Sequence, residues 1–223
     1  DDTDLEYSAT VDGNASVDVT GSTLTIAPDT NYSGDIQVNV TVSDGEFTDS
    51  GSFTLTVNPV NDAPILAVID DQVIDEDTSL VYTLSASDVD DTELSYSVTI
   101  NGNATVNISN DILTITPISN YNGQIIVNVI VSDGEFTDSD SFTLIVNSLN
   151  DAPLLTNILN DVINEDEVFV YELQATDIDH TDLEYSATVD GNASVDVIGS
   201  TLTIAPDTNY SGDIQVNITV SDG

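Results

Sequence analysis

Asp62, Glu76, Asp88, Asp90 and Asp133 occupy places where a carboxylate is free to do chemistry. They lie in an Asn-Asp-Ala-Pro linker, an Asp-Glu-Asp run, an Asp-Val-Asp step and a Ser-Asp-Gly turn. All five fall at strand ends or connectors. If the first, second and sixth strands of a sandwich finish at one pole, the five converge on the joint with the preceding domain. Calcium takes roughly six to eight hard oxygen ligands, so five carboxylates and a few carbonyls suit about two or three ions. The EF-hand is excluded, because Asp88-Val89-Asp90 lacks the following glycine and the distal glutamate.

Other chemistries find no footing. The 223 residues include no Lys, Arg or Cys and one histidine, so nucleophile-base pairs and cationic clamps are absent. Carboxylate pairs are unavoidable among 41 acids and say nothing about glycoside hydrolysis. An enzyme is not expected. A formal charge of −41 also excludes nucleic acid, whose phosphates need Lys or Arg. No apolar run is long enough to insert in a membrane. Hydrophobic residues still make up 39%, enough to build cores, so the repulsion among carboxylates calls for cations from outside.

The elements that position these acids recur. Asn61-Asp62-Ala63-Pro64 returns as Asn150-Asp151-Ala152-Pro153, an offset of 89 residues, and Tyr32, Tyr121 and Tyr210 keep that spacing inside Asn-Tyr-x-Gly. At twice the offset, residues 1–45 match 179–223 except at Asp2/His180, Thr20/Ile198 and Val40/Ile218. A two-domain super-period is expected. The divisions are a partial repeat over 1–63 lacking its first strands, a complete repeat over 64–152, and a partial repeat over 153–223 lacking its last strand.

Within a copy, Ile36, Val38, Val40 and Val42 alternate with Gln37, Asn39 and Thr41, the period of a half-buried strand. Phe53-x-Leu55-x-Val57 and Leu94-x-Tyr96-x-Val98 repeat it, with Asp, Asn, Gly and Ser turns between. The fold class is all-β: tandem Greek-key sandwiches of the cadherin or immunoglobulin kind, about seven strands each. The three tyrosines of Asn-Tyr-x-Gly fall where a tyrosine corner closes the crossing between sheets, their hydroxyls held by backbone.

Val131-Ser132-Asp133-Gly134, then Phe142-Thr143-Leu144-Ile145-Val146, then Asn150-Asp151-Ala152-Pro153 resembles the closing pattern of cadherin repeats. Tandem repeats of large bacterial surface adhesins are similar still more closely, in Asn-Asp-Ala-Pro, Glu-Asp and Asn-Tyr-x-Gly, and the resemblance covers the full chain. It implies calcium (Ca2+) at the joints. By position, the ligands would be Asn61, Asp62, Glu76, Asp88, Asp90 and Asp133 at the first joint. Asn150, Asp151, Glu165, Asp177, Asp179 and Asp222 would serve the second. The cadherin Leu-Asp-Arg-Glu motif is missing, and Ile118-Ser119-Asn120-Tyr121 stands in its place, so fewer ions per joint are expected than in cadherins. His180 stands where the middle copy has Asp91 and reads as an exposed side chain rather than a ligand.

The resemblance further implies a structural spacer or fibre segment of a giant extracellular surface protein, stiffened by calcium. Its alternative is a module that itself adheres to cells or glycans, although the chain has no tryptophan to anchor strand exchange or a sugar. One difference between copies points to a lateral interface with neighbouring copies. Outward positions held by Gln37, Thr41 and Thr56 in the first copy are Ile126, Ile130 and Ile145 in the second.

Overall fold

Alternation decides the central strand of the middle unit. In Gly123–Ser132 the side chains of Ile125, Val127, Val129 and Val131 are completely buried, while Gln124, Ile126, Asn128 and Ile130 face outward. This strand lies between Ser95–Ile100 and Thr137–Asn147, antiparallel to both. Gln72–Asp75 completes the four-stranded sheet by running parallel to Thr137–Asn147. The facing sheet consists of Ala104–Ser109, Ile112–Pro117 and Leu80–Thr83, and a short pair joins Ile65–Leu66 to Ala86–Ser87. One apolar cluster fills the space between the sheets, with Leu80, Leu84, Leu113 and Ile115 meeting Ile125, Val127, Phe142 and Leu144. The computed structural model describes residues 4–223; among them it contains no helix, and hence none able to cross a membrane.

The first strand of this unit changes sheets, and that change matters for the joints. Leu66 pairs in one sheet and Val73 in the other. Between Ala67, whose N–H still reaches the Ser85 carbonyl, and Gln72 the ladder lapses, and N–H groups along the change of sheet need acceptors. Carboxylates supply them: Asp138 accepts from the Leu66 N–H and Asp140 from the Ile69 N–H, both at 2.8 Å. Asp71 in turn accepts from the Thr143 N–H at 2.7 Å. The strand thus crosses over and ends beside Asn147, at the opposite pole from where it began.

The crossing between sheets at Ile118-Ser119-Asn120-Tyr121 is closed by the tyrosine, whose hydroxyl donates to the Gln124 carbonyl at 3.1 Å. Tyr32 and Tyr210 make the same bond to Asp35 and Asp213. Gly123 has φ of 140°, and a Cβ there would lie 2.9 Å from the tyrosine oxygen, so the motif requires glycine.

The flanking units repeat parts of this plan. In the first, Gly34–Ser43 lies between Glu6–Val11 and Thr48–Val57, with the hairpin Ala15–Thr20 and Thr23–Pro28 opposite. In the third, Leu173, Leu202 and Ile204 centre a smaller core. Phe142 and Phe53 occupy the same register position, opposite Val127 and Val38. Phe142 stacks on Tyr82 and is 3% exposed, whereas Phe136 of the same unit is 43% exposed. Truncating Phe142 to Ala is expected to cost the middle unit about 3–5 kcal/mol. Phe136→Ala, at the exposed turn of the same unit, is expected to cost less than about 1 kcal/mol. Equilibrium urea unfolding of the two variants checks this, and equal losses would contradict the packing described.

Candidate metal centres at the joints

At the joint before the middle unit, the linker is fastened to strand ends by carboxylates. The Asn61 side-chain amide donates to Asp133 at 2.9 Å, and the Asp62 N–H donates to Asp90 at 2.8 Å. Asp88 folds its own loop, one oxygen accepting from the Asp90 and Asp91 N–H groups. Asp133 does the same for its turn by accepting from Glu135 and Phe136. Partial desolvation pushes the Asp133 carboxyl up, but these N–H donors and Asn61 outweigh it and hold the group below the usual carboxylate range. Asn61, Asp62, Asp88, Asp90 and Asp133 are therefore gathered at one pole.

The second joint repeats this arrangement and adds the end of the middle unit. Asn150 donates to Asp222, the Asp151 N–H donates to Asp179 at 2.8 Å, and Asp177 accepts from the Asp179 and His180 N–H groups. Glu76 arrives from the other side. It is 1% exposed, and its Oε1 accepts from the Leu149 N–H at 2.6 Å. Burial pushes the Asp151 carboxyl up, and the negative charges of Asp179, Asp77, Glu76 and Asp177 push it further. Six carboxylates from two units and their linker share this joint.

Glu76 corrects the expectation drawn from the sequence. It was expected beside Asp62, Asp88 and Asp90, at the joint with the preceding domain. Because Gln72–Asp75 runs parallel to Thr137–Asn147, its end lies at the exit of the middle unit, and Glu76 donates its N–H to the Asn147 carbonyl there. Only the second and sixth strands finish at the entry pole. Glu165 follows the same rule: it is exposed at the far end of the third unit, where Asp166 holds the Asn209 N–H as Asp77 holds that of Asn120. It is therefore not part of the second joint.

Two participants were not anticipated. Asp77 adopts a left-handed φ of 59° and ties the Ile118-Ser119-Asn120-Tyr121 loop to the exit pole. Its signal was its position beside Glu76 in the acidic run. His180 lies beside the joint, with Asn122 and Leu149 across a shallow polar cleft from it. The isoleucines map as the alternation implies: Ile126 and Ile130 are 49% and 38% exposed, and Ile145 is half-buried beside exposed Val73.

The acids fit a hard cation on one further observation. Among the described residues, four buried side-chain oxygens have no hydrogen-bond partner: Oε2 of Glu76 and Oδ2 of Asp88, Asp151 and Asp177. One belongs to the first joint and three to the second. Buried carboxylate oxygens left unpaired are costly, and the sequence offers no Lys or Arg to answer them. A divalent ion with oxygen ligands meets that requirement.

Comparison with known proteins finds likenesses to one sequence family and to solved β-sandwich structures. A family model described as bacterial Ig domain matches residues 61–147. The solved protocadherin fragment PcdhgB3 EC1-4 aligns over 98% of this chain and 63% of its own, at 11% identity and a TM-score of 0.55. Human protocadherin-24 EC1-2 aligns over 73% and 88%, at 19% identity and a TM-score of 0.49. An endo-fucoidan hydrolase of glycoside hydrolase family 107 aligns over 99% of this chain at 16% identity and a TM-score of 0.34. The chain spans only 37% of that hydrolase. No curated protein matches. Residues 61–147 thus match the model of a bacterial Ig domain, and the chain shares the cadherin-like, immunoglobulin-like β-sandwich fold.

Proposed function

We propose that this chain is a spacer or fibre segment of an extracellular surface protein, made of units 1–63, 64–152 and 153–223 and stiffened by calcium at their joints. One observation carries the reading: the second joint buries unpaired carboxylate oxygens from two successive units and the linker between them. Glu76, Asp77, Asp151, Asp177 and Asp179 would hold the ions there, with Asn150 and Asp222 alongside. Asn61, Asp62, Asp88, Asp90 and Asp133 would form the first joint's share. An ion bound by both units is lost when they swing apart, so binding free energy becomes bending resistance. At a hundredfold excess over its dissociation constant, one ion contributes about 2.7 kcal/mol. Without ions, the same carboxylates repel one another and loosen the joint.

Small-angle scattering tests the reading. Chelation is expected to shorten the mean end-to-end distance, and Glu76→Gln to weaken the calcium effect. A profile indifferent to calcium would overturn it.

A second, compatible reading is self-association, favoured by the outer face of the middle unit. On its three antiparallel strands the outward positions hold only Ser, Thr, Asn, Gln and Ile. The first unit has Glu6 and Asp35 where this face has Ser95 and Gln124, and the third has Glu184 and Asp213. Polar cross-strand pairs of the first unit, Thr56 to Asp35 and Gln37 to Thr54, are replaced by Ile145 with Gln124 and Ile126 with Thr143. Acids leave and isoleucines arrive on one face. A basic partner would favour the acid-rich faces, whereas a second copy, equally negative, can approach closely only where carboxylates are missing. Ile126→Thr with Ile130→Thr is expected to abolish concentration-dependent association in sedimentation runs. Association unchanged by the pair would remove this reading.

Asp151 gives a test with opposite signs. Its carboxyl is held above the usual range, so its neutral form favours the folded state. That contribution is complete below the unfolded value and lost as pH rises through the folded one. In chelator at neutral pH, Asp151→Asn is expected to raise the melting temperature, with the difference vanishing in acid. In calcium the same change is expected to lower it. Thermal scans in both buffers read the two signs.

A further inference from the structure

Asp177, His180 and Asp222 each offer one ligand atom, and these atoms lie within 4.8 Å of one another. Asp177 makes this more than a chance meeting of surface groups. Its side chain is wholly buried; one oxygen is occupied by the N–H groups of Asp179 and His180, and the other is buried without a partner. The His180 ring is about half exposed, with Nδ1 3.8 Å from the occupied oxygen of Asp177. Asp222 is steadied by the Asn150 amide.

The donor set differs in kind from that of the first joint. There the position of His180 is held by Asp91, and every candidate side-chain ligand is an oxygen. Calcium prefers oxygen alone, whereas imidazole with carboxylates suits borderline first-row metals, which accept four ligands at short distance. We infer that the second joint carries a mixed nitrogen and oxygen site for a transition-metal dication such as zinc, formed by Asp177, His180 and Asp222, and that the first joint has no such site. The otherwise near-identical stretches 1–45 and 179–223 differ at this position, Asp2 against His180, so one substitution sets the metal class of a joint. The inference shares Asp177 and Asp222 with the calcium reading but depends on the imidazole, which calcium does not use.

A single histidine makes the test direct, since one imidazole gives one pair of ring nitrogen resonances. Zinc is titrated into the full chain in the presence of calcium, following those resonances by NMR and the affinity by calorimetry. The imidazole signal is expected to shift with one equivalent of zinc. His180→Asp is expected to weaken that zinc site at least tenfold, and Asp222→Asn to weaken it while leaving the imidazole free. An unmoved imidazole at one equivalent, or equal zinc affinity in His180→Asp, overturns the inference. Calcium isotherms on the same samples separate the two readings. Zinc at the imidazole with no calcium binding would uphold this site and defeat the calcium joint.

Discussion

Carboxylate repulsion that no side chain of the protein can balance is the constraint around which this structure is arranged. With 41 acids and no Lys or Arg, each carboxylate is left in water, given to a backbone N–H, or gathered with others at a joint. The structure uses all three. Asp138, Asp140 and Asp71 replace missing ladder partners where the first strand changes sheets. Asp88, Asp133 and Asp177 fold their own loops with one oxygen each. The remaining oxygens, notably those of Glu76, Asp88, Asp151 and Asp177, are buried without a partner at the joints.

The parallel pairing of Gln72–Asp75 with Thr137–Asn147 gives the joint its two-sided character. An antiparallel first strand would have carried Glu76 to the entry pole, and each joint would then have drawn its acids from the linker and the following unit only. Running parallel, the strand sends Glu76 and Asp77 to the exit, where they face Asp151 and Asp177. An ion held from both sides resists bending; one held from a single side does not. In the proposed calcium-held joint, the small crossover pinned by Asp138 and Asp140 links the topology of one domain to the stiffness of the joint.

Among the many differences between the copies, a few fall at the joint loop and the outer sheet face. The joint loop exchanges Asp91 for His180, and the outer sheet face exchanges Glu6, Asp35, Gln37 and Thr41 for Ser95, Gln124, Ile126 and Ile130. None of these alters an inward-facing residue, so the fold tolerates them. In the readings proposed above, they change which ion the joint holds and which partner the face meets.

Much was legible in the residues alone. Strict alternation marked the central strand Gly123–Ser132, the Asn-Tyr-x-Gly motif marked the crossing, and the repeating acids marked the joints, because side-chain period and turn chemistry are local properties. The linker residues Asn61 and Asp62 and the loop acids Asp88, Asp90 and Asp133 could be placed together for the same reason. The pole on which Glu76 lands was not legible, since a strand that pairs parallel or antiparallel has the same alternation in sequence. Sequence determined which oxygens exist and which loops carry them. Only the tertiary structure decided which units they bridge, because that depends on the direction in which a strand is paired.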